Sequence, residues 1–198
     1  MRKSILVIGS SNTDMIIKSE RFPDPGETIL GGDFYMLPGG KGANQAVAAA
    51  RLGGEVSFIC RVGDDQFGKR SIQVYQEEHI STDNIIIDPE ERSGVALISV
   101  NGDGENKIVV ASGANNGFKE EEIENVYKII SRADYVILQL EIPVSIVGKI
   151  IQFSKRTDTN IILNPAPAQK LPDWFFDDLF LVTPNETETE ILTGINVC

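Results

Sequence analysis

The chain has 198 residues, 41% of them hydrophobic and 24% charged. That is the composition of an ordinary globular protein, long enough to bury a real core in one domain or in one domain with a small appendage. Eighteen Lys and Arg against 29 Asp and Glu leave a net charge of −11, which argues against nucleic acid or an anionic membrane surface as partners, since both call for a basic field. Two cysteines, Cys60 and the terminal Cys198, make no disulfide framework and fit a reducing, cytoplasmic compartment.

In chain order, an apolar run at residues 5–8 reads as a buried strand, too short for a signal peptide or a membrane span. It ends in Gly9-Ser10-Ser11-Asn12-Thr13-Asp14. Residues 28–37 read as extended and glycine-bearing, and residues 43–52 as a helix of small residues behind Gly39-Gly40-Lys41-Gly42. A strand at 56–60 follows. Asp64 and Asp65 after Gly63 read as a turn into an amphipathic helix at 66–79, with the single histidine, His79, as a helix-end cap. Residues 94–100 and 106–111 flank Asn101-Gly102-Asp103-Gly104-Glu105, the signature of a hairpin. Glu120, Glu121 and Glu122 read as a solvated first turn of a helix at 120–131. A strand at 135–140, a helix at 144–156 behind Pro143, strands at 161–163 and 179–182 and a helix at 186–192 complete the pattern, with Trp174, Phe175 and Phe176 as core or interface. Strand–helix alternation predicts an α/β fold: a mostly parallel sheet with right-handed crossovers and helices on both faces, in three layers.

In open α/β sheets, ligands sit beyond the carboxyl ends of the strands. Four predicted strands end in polar residues: Asn12 and Asp14; Gln139 and Glu141; Asn164; and Thr183, Asn185 and Glu188. Any one of these clusters reads adequately as turn and cap residues; four together point to a site. The stretch Gly39–Asn44 resembles a phosphate cradle, yet it fits neither GxxxxGK[ST] nor GxGxxG. Two glycines let backbone approach a ligand, a helix start offers free N–H groups, Lys41 adds a charge, and Asn44 both donates and accepts. That set suits several hydroxyls as well as a phosphate.

The ordered segments "GSSNTD", "FPDPGET", "GGKGANQAVAAARLG", "CRVGDDQFG", "SGVALISVNGDGEN", "SGANN", "LQLEIP", "LNPAPA" and "TPNETETEILTG" resemble the ribokinase-like (PfkB) carbohydrate kinases along the whole chain. The resemblance implies a three-layer αβα sheet with a small β-lid, in segments of about 15–37 and 93–112, that closes over the sugar and pairs two subunits into a homodimer. It implies phosphorylation of the 5-hydroxyl of D-ribose by ATP with Mg2+, activated by a K+-type cation. It assigns Asn12, Asp14, Gly39, Gly40, Lys41, Asn44 and Glu141 to the sugar, Asn185 to the nucleotide, and Glu188 to Mg2+ through water. The family's catalytic Gly-Ala-Gly-Asp motif is absent from these 198 residues. The expectation is therefore an N-terminal portion with no catalytic residue of its own, inactive in phosphate transfer. Another sugar, a deoxysugar or a nucleoside as substrate, and a non-catalytic sugar-binding module, stand as alternatives.

Overall fold

The computed structural model describes residues 3–196; the terminal Cys198 lies outside the described residues. The strands are β1 (Ser4–Ile8), β2 (Asn12–Lys18), β3 (Phe34–Gly39), β4 (Glu55–Ile59), β5 (Arg61–Gly63), β6 (Ile86–Asp88), β7 (Gly94–Val100), β8 (Asn106–Ala111), β9 (Tyr135–Leu138), β10 (Asn160–Leu163) and β11 (Leu181–Val182). The helices are α1 (Lys41–Arg51), α2 (Gln66–Glu77), α3 (Glu120–Ile130), α4 (Val144–Ser154) and α5 (Glu186–Thr193). Short 3-10 turns cover Gly113–Gly117 and Asp173–Phe175.

The main sheet has the order β11-β10-β9-β1-β4, all parallel. Successive side chains of a strand point to opposite faces, and β1 shows the consequence. Val7 packs with Ala43, Ala46, Phe58 and Tyr75 beneath α1 and α2. Leu6 and Ile8 pack with Ile123, Ile130, Ile146 and Ile150 of α3 and α4 on the other face. Both faces are thus covered, which is why these strands are continuously apolar in sequence. Phe175 joins the second cluster, with Trp174 and Phe176 packed against it.

A second sheet has the order β3-β2-β7-β8. Here the sequence reading needs correction. Taken alone, the polar residues after β1 read as turn and cap residues, with the lid starting at about residue 15; β2 begins earlier, at Asn12, pairing antiparallel with β3 and parallel with β7. The Asn12–Asp14 segment is thus strand, because two neighbours supply its backbone partners. Of the extended stretch expected at 28–37, only its end is strand, from Phe34. The hairpin of β7 and β8 falls on the expected residues. A further short pair, β5 with β6, was not foreseen.

Local signals mostly acted as expected. Asp65 caps α2, accepting from the Gly68 N–H at 2.9 Å and from Ser93. His79 follows α2 at φ 59°, in the left-handed conformation that ends a helix, and its N–H donates to the Gln76 carbonyl. Glu122 departs from the solvated role: with Asp88 it holds the buried guanidinium of Arg61. An unpartnered buried charge would be costly, so the fold sends a carboxylate to it.

Candidate functional site

A cleft of about 440 Å³ opens between the carboxyl ends of β1 and β9 and the second sheet. It is lined by the polar residues Asn12, Asp14, Gly40, Lys41, Asn44 and Glu141 and by an apolar strip, Ala96 and Ile98 of β7 with Ile108 and Val110 of β8, that continues the sheet face carrying Asn12 and Asp14. These four alternate along their strands, so one face of the hairpin supplies the strip, and Leu140, Ile142 and Pro167 add to the apolar lining.

The start of α1 is held hard against the end of β1. Ala43 N–H donates to the Ser10 carbonyl at 2.9 Å and Gly42 N–H to Ser10 Oγ at 3.2 Å. A Cβ at Gly42 would lie 2.6 Å from the Ser10 nitrogen, so glycine is what permits the approach. Gly40 turns the chain into the helix at φ 91°. Gly39, opposite Asn12 on β3, has the Asp14 carboxylate lying over it; a Cβ there would come within 2.1 Å of Oδ1. The glycines of this stretch therefore make room for protein groups before any ligand is considered.

Glu141 is fixed from two sides. Its Oε2 accepts from Ser10 Oγ at 2.6 Å and from the Lys41 N–H at 2.9 Å, while Oε1 lies 3.9 Å from Lys41 Nζ. Asp14 is half-buried, and burial, reinforced by the nearby Glu141 carboxylate, raises its pKa above the ordinary aspartate value, with Lys41 pulling the other way. Two carboxylates and one ammonium in a half-closed cleft can accept from several hydroxyls and donate back to them.

The four strand ends do not all meet. Those after β1 and β9 line the cleft, and the segment after β10 contributes Pro167, but Asn164 turns back to accept the Ala166 N–H. Asn185 and Glu188 are not in the cleft. They form a capping box on α5, with Asn185 Oδ1 accepting the Glu188 N–H at 2.7 Å and Glu188 Oε2 accepting the Asn185 N–H at 2.9 Å. Ser10, Asn115, Asn116 and the apolar strip were missed. The alternation within the hairpin signals its apolar strip; Asn115 falls in the "SGANN" segment, but its role does not show there, since it meets Ser11 across more than a hundred residues. Among the described residues, no group of three or more His, Cys, Asp or Glu is arranged to hold a metal ion, and no helix is long and apolar enough to cross a membrane.

The sequence matches the pfkB family of carbohydrate kinases over residues 2–197. It is 44% identical to a ribokinase of Haemophilus influenzae over 197 residues, covering 100% of this chain and 64% of that protein. It is 39% identical to a deoxyribokinase of Salmonella typhi, covering 98% of this chain and 63% of that protein. The fold superimposes on the structure of Arabidopsis thaliana ribokinase complexed with ribose and ATP with a TM-score of 0.90 at 32% identity, covering 99% of this chain and 64% of the other. The chain thus spans a little under two thirds of the length of these relatives. A match along the whole chain, on an αβα sheet whose strand ends open into a polar cleft, has one reading: the chain belongs to the pfkB family of carbohydrate kinases.

Proposed function

We propose that this chain forms the sugar-binding side of an ATP-dependent D-ribose kinase that yields D-ribose 5-phosphate. The observation that carries the reading is the mixed polar and aliphatic lining of the cleft. Asp14, Glu141, Lys41 and Asn12 line a single volume together with the aliphatic side chains of β7 and β8. A pentose has that character, with hydroxyls on its rim and C–H groups on its faces. The volume lies within the ~300–1,000 Å³ of small-molecule sites. Asp14 and Glu141 accept hydroxyl protons, Lys41 and Asn12 donate, and Gly40 brings backbone close; Gly39 acts by leaving space for Asp14. Asn44, in the first turn of α1, stands at the rim.

ATP, Mg2+ and K+ belong to the proposal through the family. Asn185 is assigned to the nucleotide side and Glu188 to Mg2+ through water. Each Glu188 oxygen takes one donor from Asn185 and has capacity to accept another. That suits a hydrogen bond to a metal-bound water better than a closed carboxylate cage. When bound, Mg2+ would neutralise phosphate charge. No residue of this chain is assigned to K+ or as the catalytic base.

The second sheet is assigned as the lid and as the homodimer surface. Supporting this, Ile17, Phe34, Met36, Leu97 and Val109 are all exposed, Val109 at 69%, and the pairing register puts them on the face turned away from the cleft. Such a patch suits a partner. Leu97→Glu is expected to convert a dimer to a monomer in sedimentation; a protein monomeric before the change defeats the assignment.

The decisive assay supplies the full-length protein with D-ribose, Mg2+, ATP and K+ and follows ADP release. No ribose-dependent release overturns the reading. The 39% identical deoxyribokinase makes 2-deoxyribose the second reading, and a higher kcat/KM for that sugar would establish it.

A further inference from the structure

We infer that Asn115 is a positioning residue that sets the polarity of Asn12, so that Asn12 meets a ligand only as a hydrogen-bond donor. The inference rests on the cleft being the sugar site, and it adds a residue assigned no role above.

The chain of orientation starts from a group whose polarity is fixed by covalent structure, the backbone of Ser11. Its N–H donates to Asn115 Oδ1 at 2.9 Å, and its carbonyl accepts from Asn115 Nδ2 at 3.2 Å. Rotating the Asn115 carboxamide by half a turn would set donor against donor and acceptor against acceptor, so these two contacts settle its orientation. Asn115 is 1% exposed, and water does not substitute for a lost partner there. The same Nδ2 then donates to Asn12 Oδ1 at 2.7 Å. Asn12 must therefore turn its oxygen inward. Its Nδ2, for which the described residues provide no acceptor, is the group left to face the cleft that Asn12 lines.

Two features show that the arrangement is built. Gly94 lies directly over the contact: a Cβ there would sit 2.1 Å from Asn12 Oδ1 and 2.3 Å from Asn115 Nδ2. Ser11 is anchored behind by its hydroxyl, 2.6 Å from the buried Tyr75 hydroxyl. The line from Tyr75 of α2 through Ser11 and Asn115 thus ends at the cleft. It makes the polar lining chemically asymmetric, with a fixed donor at Asn12 beside a fixed acceptor at Asp14 two residues along the same strand face. A sugar hydroxyl shared between them would accept from one and donate to the other.

The test uses the full-length protein and titration calorimetry with D-ribose. Asn115→Asp replaces the donor to Asn12 by an acceptor while keeping the acceptor for Ser11 N–H, so Asn12 turns over. Ribose affinity is expected to fall about tenfold or more, with the nucleotide KM unmoved. In an Asn12→Ala background the same change is expected to alter affinity by less than about twofold, because its intermediary is gone. An equal loss in both backgrounds overturns the inference. Asn12→Asp, the variant to use if Asn115→Asp does not fold, keeps an acceptor for Asn115 Nδ2 but removes the donor from the cleft. About tenfold weaker ribose binding is expected, and wild-type affinity would overturn the inference. Should the wild-type protein bind no pentose, the proposed function fails by itself. The orientation is then read without sugar from side-chain amide exchange: a protected Asn115 NH2 beside a fast-exchanging Asn12 NH2 supports it, and the reverse pattern overturns it.

Discussion

Asn12-Thr13-Asp14 after β1 and Asn185-Glu186-Thr187-Glu188 after β11 look alike in sequence: an asparagine and a carboxylate just beyond a strand of one parallel sheet. The fold uses them in opposite ways. Asn185 and Glu188 spend their hydrogen bonds on each other and on the first turn of α5. Asn12 and Asp14 are taken into a second sheet, where backbone pairing with β3 and β7 leaves both side chains lining a shared cavity. What separates a cap from a binding wall is where the spare lone pairs and protons point. That depends on long-range pairing.

The largest effect expected on the β1 side is from Asp14→Asn. It removes a charged acceptor, so ribose affinity should fall about a hundredfold while nucleotide KM stays within about twofold of wild type. Equal loss on both substrates would contradict the sugar-side assignment. The same variant tests the electrostatics. The pKa of Asp14 is higher folded than unfolded, chiefly through burial and then through Glu141. Its favourable contribution to stability is therefore complete below the unfolded pKa and is lost as pH rises through the folded one. At neutral pH the ionised carboxylate works against the fold, so Asp14→Asn should hold or raise Tm while losing the sugar. A clear drop in Tm would show that Asp14 is structural. In the wild type, ribose affinity should begin to fall on acidification at a pH above that of an ordinary aspartate.

A smaller effect is expected from Gly39→Ala. The new Cβ must displace the Asp14 carboxylate, which lies 2.1–2.3 Å from its position. Ribose affinity should drop about tenfold, the scale of one misplaced hydrogen-bonding group. Calorimetry with wild-type affinity would mean that Asp14 moves aside freely and that the glycine serves the turn alone.

Much of the fold was legible because its signals are local. Val7 and its neighbours form a short apolar run, Asp65 precedes a helix, and Asn101–Glu105 separates two alternating strands; all behave accordingly. The cleft was legible in part. Asp14, Lys41 and Glu141 are polar residues at strand and helix ends, and a sheet of this kind gathers such ends. The strand nature of Asn12–Lys18 was not legible, since β2 owes its conformation to partners tens of residues away at Gly39 and Gly94. Glu122 was read as solvated for the same reason: its partner Arg61 lies 61 residues earlier. Gly94 and Asn115 fall in segments that carry the family resemblance, but no role could be read for either, because each matters only through the other's position.

The smallest effects are expected at Asn185, and they decide whether the contrast between the two strand ends is complete. Replacing a capping asparagine by alanine costs about 1 kcal/mol of helix stability, whereas serine restores most of it. No residue of α5 is buried, so the loss should appear as faster amide exchange within residues 186–193 and hardly at all in Tm. Ribose affinity should be unchanged in both variants. If Asn185 also meets the nucleotide, the KM for ATP should rise a few-fold, roughly one neutral hydrogen bond, in Asn185→Ser as well as in Asn185→Ala, since serine caps the helix without reproducing the amide. An ATP KM that returns to wild type with serine would make Asn185 a cap and nothing more.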